Sequence, residues 1–388
     1  MTGSVAACDV CVIGGGVMGA SAAYYLAAAG LEVTLLERGS PGREASGANA
    51  GTLAVQNKPL GAVPAVMECL RMWGELSEKL GSDVEYERRG GFRVAHSGED
   101  LALLERQSSD QKTAGAPTEM FYSDRLRGEA PYLSPKIPGA SYSPMDGMAN
   151  PFLTLRAFLK AAERRGARVR SDCEVTGIES KGDGGFRIRT PTGALSTPRI
   201  VSAAGVWNSH IARMVGVKLP IRPLVQQAMI TTSFRTLFPH IVTHVRGQIT
   251  LKQQRSSGKI QIGGGWPGDG DEERGVSSLR RESVEGNLRI ACATIPELIR
   301  TRLLRAWTGF EGRTPDKLLL AGPVGPEGFF VLGCASGGFT MSPLGGEIIT
   351  DHVLSRDSRI SVDRFLPTRF SEAASSPDFR SEQPVVES

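Results

Sequence analysis

Three glycines and one glutamate carry the most specific chemistry in this chain. Gly14, Gly16 and Gly19 fit the pattern G-x-G-x-x-G, and Glu37 follows 18 residues after the last of them. In that pattern the first glycine permits a tight turn and the second lets a pyrophosphate approach the backbone. The third allows a helix to pack closely on the preceding strand. An acid at about that spacing is placed to bind the hydroxyls of an adenosine ribose. Residues 10–13 are a short apolar, β-branched run, as a buried parallel strand requires. Residues 17–29 have high helix propensity, Gly30 supplies a stop, and a second apolar run, 33–36, leads into Glu37. Strand, helix, strand and acid in that order predict a dinucleotide-binding unit. A glycine-rich turn in an ordinary α/β unit would leave Glu37 unexplained.

The elements that must position this unit follow along the chain. After Glu37 and Arg38 comes a polar stretch whose small residues at 45–52 would let backbone approach a large planar ligand, with Ser46, Asn49 and Thr52 offering hydrogen bonds. A mobile surface loop is the other reading of that stretch. The pattern predicts helices over 64–80 and 153–165, and strands over 91–95, 168–171 and 174–179. A hairpin follows with 182–185 at its tip, and then a buried strand from 200 running into the glycine turn at 205. From about 218 to 306 the character changes to strands at 227–232, 248–252 and 259–263, with helical patterns at 278–290 and 296–305. This predicts an antiparallel sheet with helices beside it. Strands at 318–322 and 329–333, a glycine loop at 334–341 and a helix over 344–354 close the chain. The expected fold is α/β. It has a discontinuous Rossmann-type nucleotide-binding domain (1–95, 141–215 and 307–370), an inserted sheet-plus-helices substrate domain (96–140 and 216–306) and a disordered polar tail, 371–388.

Bulk properties narrow the function. With 388 residues the chain can bury a sizeable core, and 40% apolar with 22% charged residues is ordinary globular composition. Forty-five basic against 41 acidic side chains give a net charge of +4, which does not point to nucleic acid or a membrane surface. No apolar run reaches the roughly 18 residues of a membrane span, and no secretory signal is visible. Cys8 and Cys11 form a C-x-x-C within the first strand without a second pair at ligand spacing. No metal site is expected, and reduced thiols in a cytoplasmic protein are the simpler reading.

These pieces resemble the FAD-dependent amine oxidoreductases of the D-amino-acid oxidase type. That family includes glycine oxidase, the sarcosine oxidases and the flavin subunits of heteromeric amino-acid or opine dehydrogenases. The resemblance spans about residues 8–370. It rests on the glycine fingerprint with Glu37, on Ala45-Ser46 through Asn49-Ala50-Gly51, on 89–94, and on Asp146-Gly147 with Pro151. It continues through 201–207, Trp307-Thr308-Gly309, Thr314-Pro315-Asp316 and 333–343, and ends on 365–370.

The resemblance implies contacts to FAD. Gly14, Gly16, Val17, Met18 and Gly19 would hold the pyrophosphate at a helix N-terminus, and Glu37 the adenosine ribose, with Arg38 beside it. Ala45, Ser46, Asn49, Ala50, Gly51 and Thr52 would line the pyrophosphate and flavin. Val175 would meet the adenine, while Ala204, Gly205 and Trp207 close over the phosphates. Gly337, Gly338, Phe339, Thr340 and Met341 would bring N–H groups and a positive helix end to the flavin's N1 and C2 carbonyl. The implied chemistry is hydride transfer from the α C–H of a neutral amine to flavin N5. It requires orientation and exclusion of water, and no conspicuous acid–base dyad.

Departures from the family pattern bear on the substrate. Several relatives place a carboxylate-binding arginine where this chain has Glu311, with Arg313 two residues on. Glu311 would then receive a cationic group, or it is a salt-bridged carboxylate; Arg222 and Arg313 are the alternative carboxylate clamps. Cys334 is nearest to a covalent-flavin position, with a packed thiol the simpler reading. Two functions stay open. One is the flavin subunit of an amino-acid or opine dehydrogenase with a second flavin or iron–sulfur subunit. The other is a stand-alone glycine, sarcosine or D-amino-acid oxidase releasing peroxide, in which Lys252 or Lys259 would promote oxygen reduction unless each is simply a strand-edge or turn lysine. Oxidation of a 2-hydroxy acid or glycerol phosphate, or a flavin-binding assembly subunit without turnover, are the readings from other classes.

Overall fold

A computed structural model of the protein describes residues 6–182 and 184–370. The expected disordered tail, 371–388, lies outside the described residues. The two apolar runs at the N-terminus form the strands Val10–Ile13 and Val33–Leu36, each buried along its whole length. Continuous apolar runs of this kind belong to parallel strands covered on both faces. They sit inside a six-stranded sheet ordered Arg168–Arg170, Val33–Leu36, Val10–Ile13, Arg199–Ser202, Phe329–Gly333 and Leu320–Pro323. The first five strands run parallel and the last antiparallel. The final two strands come from the far end of the sequence, so the sheet is complete only when the chain returns.

The helix Val17–Ala28 is buried nearly all round because it is sandwiched between the helices Pro151–Arg164 and Gly338–Val353. Its alanines and Ser21 allow that closeness. Ser21 Oγ donates to Ser342 O at 2.7 Å, and a Cβ on Gly346 would collide with Ser21 itself. The helix Gly338–Val353 starts ahead of the expected 344 and contains Pro343. Proline lacks the N–H that would bond the carbonyl of residue 339. Ser342 Oγ supplies the missing donor to Phe339 O at 2.9 Å, and the helix runs through.

The second large sheet has eight strands, ordered Leu303–Arg313, Arg222–Ser233, Lys259–Gly263, Thr250–Gln253, Ile241–His244, Gly91–Ala95, Gly139–Ser143 and Glu119–Tyr122. All pairs are antiparallel except Ile241–His244 with Gly91–Ala95. The helix expected over 296–305 is a short 3-10 turn, Pro296–Arg300, followed by the strand Leu303–Arg313. Its pairing along almost the whole of Arg222–Ser233 overrides local helix propensity. The strand expected over 174–179 is the shorter Gly177–Ser180, and the stretch expected as loop at 45–52 contains a single helical turn, Ala45–Ala48. Gly91–Ala95 and residues 307–313, assigned by pattern to the nucleotide-binding part, pair within the eight-stranded sheet.

One face of that sheet is apolar. Phe92, Val242, Leu251, Ile262 and Met229 pack there with Ala291, Ile295 and Leu298. Alternation along a strand sends the intervening residues to the other face. Register places Arg93 beside Thr243, Lys252 beside Gln261, Gln261 beside Ile230, and Ala228 beside Trp307. This polar row faces the segment 48–56: Arg93 donates to Gln56 O and Trp307 Nε1 to Ala48 O, at 2.7 and 2.9 Å.

Candidate functional site

The nucleotide end is built from backbone. A Cβ on Gly14 (φ 111°) would lie 2.6 Å from Ala203 O, and one on Gly19 would collide with Gly14 O, so neither position tolerates a side chain. Gly16 caps the helix Val17–Ala28 and leaves the N–H groups of the first turn pointing out of its end. Ser46 Oγ accepts from Val17 N at 2.9 Å and ties the 45–48 turn to that helix end. Glu37 lies across the same turn, with one carboxylate oxygen accepting from Gly15 N (2.7 Å) and the other from Gly39 N (2.9 Å). Each oxygen keeps lone pairs for a ribose hydroxyl. The segment carrying Val175 is held alongside, since Cys173 N donates to Glu37 O at 2.8 Å. The Arg38 guanidinium stacks 3.8 Å from the Trp207 ring centroid, and Trp207 Nε1 donates to Glu272 O. Ala204 is fixed by a 2.8 Å bond from its N–H to Asn208 Oδ1, next to Gly205 at φ 59°.

The opposite end is built around the start of the helix Gly338–Val353. Gly337, at φ 73°, turns the chain into that helix. Thr340 Oγ1 donates to Thr52 O at 3.3 Å, and Trp73 Nε1 to Thr340 O at 2.9 Å. Phe339 packs on Trp73, Met341 touches the Cys69 thiol, and Met18 reaches across to Gly338. Asn49 Oδ1 accepts from Gly51 N at 2.6 Å, which holds Ala50 and Gly51 in their turn, with Gly51 at φ 66°. Thr52 Oγ1 is buried without a partner among the described residues.

Over Gly51 stands Lys252. A Cβ on Gly51 would lie 2.9 Å from Lys252 Nζ. Lys252 is 3% exposed, and burial alone pushes its ammonium down to about 7. Lys259 is half-buried at the start of its strand.

The chain matches the family described as DAO, FAD dependent oxidoreductase, over residues 9–352. It belongs to that family. It is 27% identical to glycine oxidase of Bacillus subtilis (strain 168), over 90% of this chain and 94% of the relative. It is also 27% identical to one of the subunits of the opine oxidase of Rhizobium meliloti, over 93% and 97% of the two chains. The crystal structure of glycine oxidase from Geobacillus kaustophilus superposes with a TM-score of 0.85 at 26% identity, covering 94% of this chain and 99% of that one. The protein is thus an FAD-dependent oxidoreductase of the DAO family.

The residues present fit FAD. The glycine turn, whose Gly14 and Gly19 leave no room for a Cβ against the neighbouring backbone, would receive the pyrophosphate at the helix start, Glu37 would take the ribose, and Arg38 with Trp207 form a flat wall beside it. Thr52 Oγ1 would offer an unmatched polar atom to the flavin, near the positive end of the helix Gly338–Val353. Among the described residues no three His, Cys, Asp or Glu gather to hold a metal, and no helix is long and apolar enough to cross a membrane. Cys334 Sγ donates to Gly205 O at 3.1 Å, and burial pushes its thiol up to about 12, so it is a packed thiol and not a nucleophile.

The three substrate candidates lie together at one sheet corner, where Arg222 is paired in register with Arg313. Glu311 and Arg313 bind each other at 3.2 Å, both half-buried, and Arg222 is exposed. Lys58 was not singled out from the sequence, and Arg93 and Asp146 entered only within the segments 89–94 and Asp146-Gly147 that carry the resemblance, with no role attached. Lys58 is 8% exposed and burial lowers it to about 8, with Asp146 and Glu311 acting against that. Burial raises Asp146 to about 6 against its bonds from Val55 N and Gln56 Nε2. For the two cations a further local signal was composition: a lysine between Gln56-Asn57 and Pro59, and an arginine inside an otherwise apolar strand.

Proposed function

We propose that this enzyme oxidises the C–N bond of an amino acid or opine, and that it acts as the flavin subunit of a heteromeric dehydrogenase. The observation that carries the C–N assignment is Lys252, buried on the sheet face over Gly51. Bound FAD supplies a hydride acceptor. An amine substrate arrives as its ammonium and must lose a proton before its α C–H can leave as hydride. A lysine held at about 7 is half free base at neutral pH and accepts that proton at Nζ. Full-length likeness to a protein named as part of an opine oxidase supports the heteromeric reading, with a second flavin or iron–sulfur subunit as electron acceptor. In this reading the six-stranded sheet carries the cofactor and the eight-stranded sheet the substrate. Six unpaired cysteines, five of them buried, suit a cytoplasmic location.

A second reading is a stand-alone oxidase of glycine, sarcosine or a D-amino acid. The same Lys252 favours it, since its protonated form places a cation where reduced oxygen gains charge. Likeness to glycine oxidase points the same way.

Anaerobic bleaching of the flavin absorbance tests both. The panel is glycine, sarcosine, D- and L-proline, D-alanine, octopine, nopaline and 2-hydroxyglutarate. Bleaching by an amino acid or opine is expected; bleaching by the hydroxy acid alone overturns the C–N assignment. Admitting air then separates the two readings: slow reoxidation marks the dehydrogenase, and rapid peroxide release the oxidase.

A further inference from the structure

A cleft of about 480 Å³ opens between the segment 56–60, the helix Gly98–Thr113 and the end of the strand Leu303–Arg313. Its inner wall includes Ser336 and Lys58, whose ammonium lies so close to Gly337 that a Cβ there would collide with it. The cleft therefore borders the turn that opens the helix Gly338–Val353.

The charges around it do not balance. Lys58 and Arg93 are both more than nine-tenths buried. The Arg93 guanidinium donates to two carbonyls, Gln56 O and Val245 O, each at 2.7 Å, and its Nε has no partner among the described residues. Lys58 Nζ donates to no acceptor among them. Gln107 Oε1, also in the lining, is buried and unpartnered. The nearby acids are committed elsewhere: Glu311 binds Arg313 at 3.2 Å, and Asp316 binds Arg369 at 2.8 Å. Asp110 is exposed at the rim. That leaves Asp146, among the described residues, as the one buried carboxylate facing two buried cations, and it already accepts from Val55 N and Gln56 Nε2. Buried cations without a matching anion are costly, so a site that retains them is one whose anion arrives with the ligand.

We propose that this cleft receives a carboxylate of the substrate and that Lys58, rather than Glu311, Arg313 or Arg222, is its principal anchor. This rests on the reading that the substrate is an amino acid or opine. Lys58 binds the carboxylate by a charge-assisted hydrogen bond from Nζ, with Arg93 contributing from the floor of the cleft. It is a substrate-binding residue that selects amines carrying an acid over simple amines.

The test uses the FAD-loaded enzyme and two redox-inert probes of one shape, (methylthio)acetate and (methylthio)acetamide, titrated by perturbation of the flavin spectrum. Wild type is expected to bind the acid at least tenfold more tightly than the amide, and to lose that preference as salt rises. Lys58→Met is expected to weaken the acid at least tenfold and the amide less than threefold, with Lys58→Arg restoring most of the difference. Flavin content and melting temperature check that each variant is folded and loaded. Equal binding of the acid by wild type and a loaded Lys58→Met overturns the proposal, as does a wild type that binds the acid no better than the amide. Acid that binds without slowing bleaching by an amino acid also overturns it, because the cleft would then hold an effector and not the substrate. If amino acids bleach the flavin while Lys58→Met binds normally, the anchor is wrong and C–N oxidation stands. If the acid binds through Lys58 but no amine bleaches the flavin, C–N oxidation fails and the anion site stands.

Discussion

The two sides of the cofactor site are made of different materials. At the nucleotide end the candidate recognition groups are mostly main chain: three glycines, the N–H groups of a helix start, and a glutamate pinned by Gly15 and Gly39. On the side of the eight-stranded sheet the candidate groups are side chains, chiefly Lys252, Lys58 and Arg93, all of them buried. Backbone recognition costs little stability because each N–H replaces one solvent partner with another. Buried cations cost a great deal, and proteins keep them where chemistry or binding gives a return. In the proposed reading the nucleotide end would hold the cofactor, and the sheet side would react and select.

Breaking the backbone end should have the largest effect. Gly19→Val drives a side chain into Gly14 O, and we expect purified protein with less than about a tenth of the normal flavin and a stability loss of about 3 kcal/mol. Flavin absorbance and urea denaturation measure both. On the sheet side, Lys252→Met should slow anaerobic flavin reduction at pH 7 by about a hundredfold and abolish the rise in rate through pH 7. The same variant sharpens the stability contrast. Burial lowers Lys252 from 10.5 to about 7, so between those values the unfolded chain holds a proton that the folded chain lacks. Wild-type stability should thus rise with pH from about 7 to 10.5, with the full penalty present below 7. Lys252→Met should gain more over wild type at pH 6 than at pH 9, as read by denaturation of the apoprotein.

A smaller effect is expected from Glu37→Ala, which removes two charge-assisted bonds at the phosphate turn. FAD should bind roughly thirtyfold more weakly, about 2 kcal/mol, while the rate of the loaded enzyme stays near normal. Calorimetric titration of apoprotein checks the first and stopped-flow bleaching the second. Glu311→Gln should do least. Its carboxylate is half-exposed and already paired with Arg313, so KM for an amino acid should move less than about threefold. A large change there would return Glu311 to the substrate site and weaken the division drawn between the two sides.

That division also explains what could be read from sequence. Backbone recognition needs glycine at fixed short spacing, so Gly14, Gly16, Gly19 and Glu37 announce themselves, as does the αL turn at Gly337. Side-chain recognition gathers residues from distant strands, and nothing local marks Arg93 as the neighbour of Gln56 and Val245. Lys252 stood out as a candidate cation, but its separation from the more exposed Lys259 depended on knowing which strand face looks toward Gly51. Misreading 296–305 as helix has the same origin. Leu303–Arg313 is a strand because Arg222–Ser233, some eighty residues earlier, pairs with it. The helix beginning at Gly338 was misjudged at Pro343, because a serine one residue before it repairs the missing donor.

The contact between Ser21 and the Ser342–Gly346 stretch has a consequence for how the cofactor is chosen. It locks together the bodies of the two helices whose starts would meet the pyrophosphate and the flavin, and so would act as a caliper set in advance to one jaw width. A ligand that bridges both jaws gains the second contact at a high effective concentration, whereas an adenine nucleotide or a flavin mononucleotide engages one jaw alone and forfeits that multiplication. In that reading, selection of the whole dinucleotide over its halves would be written into a helix–helix contact that no part of the dinucleotide needs to touch.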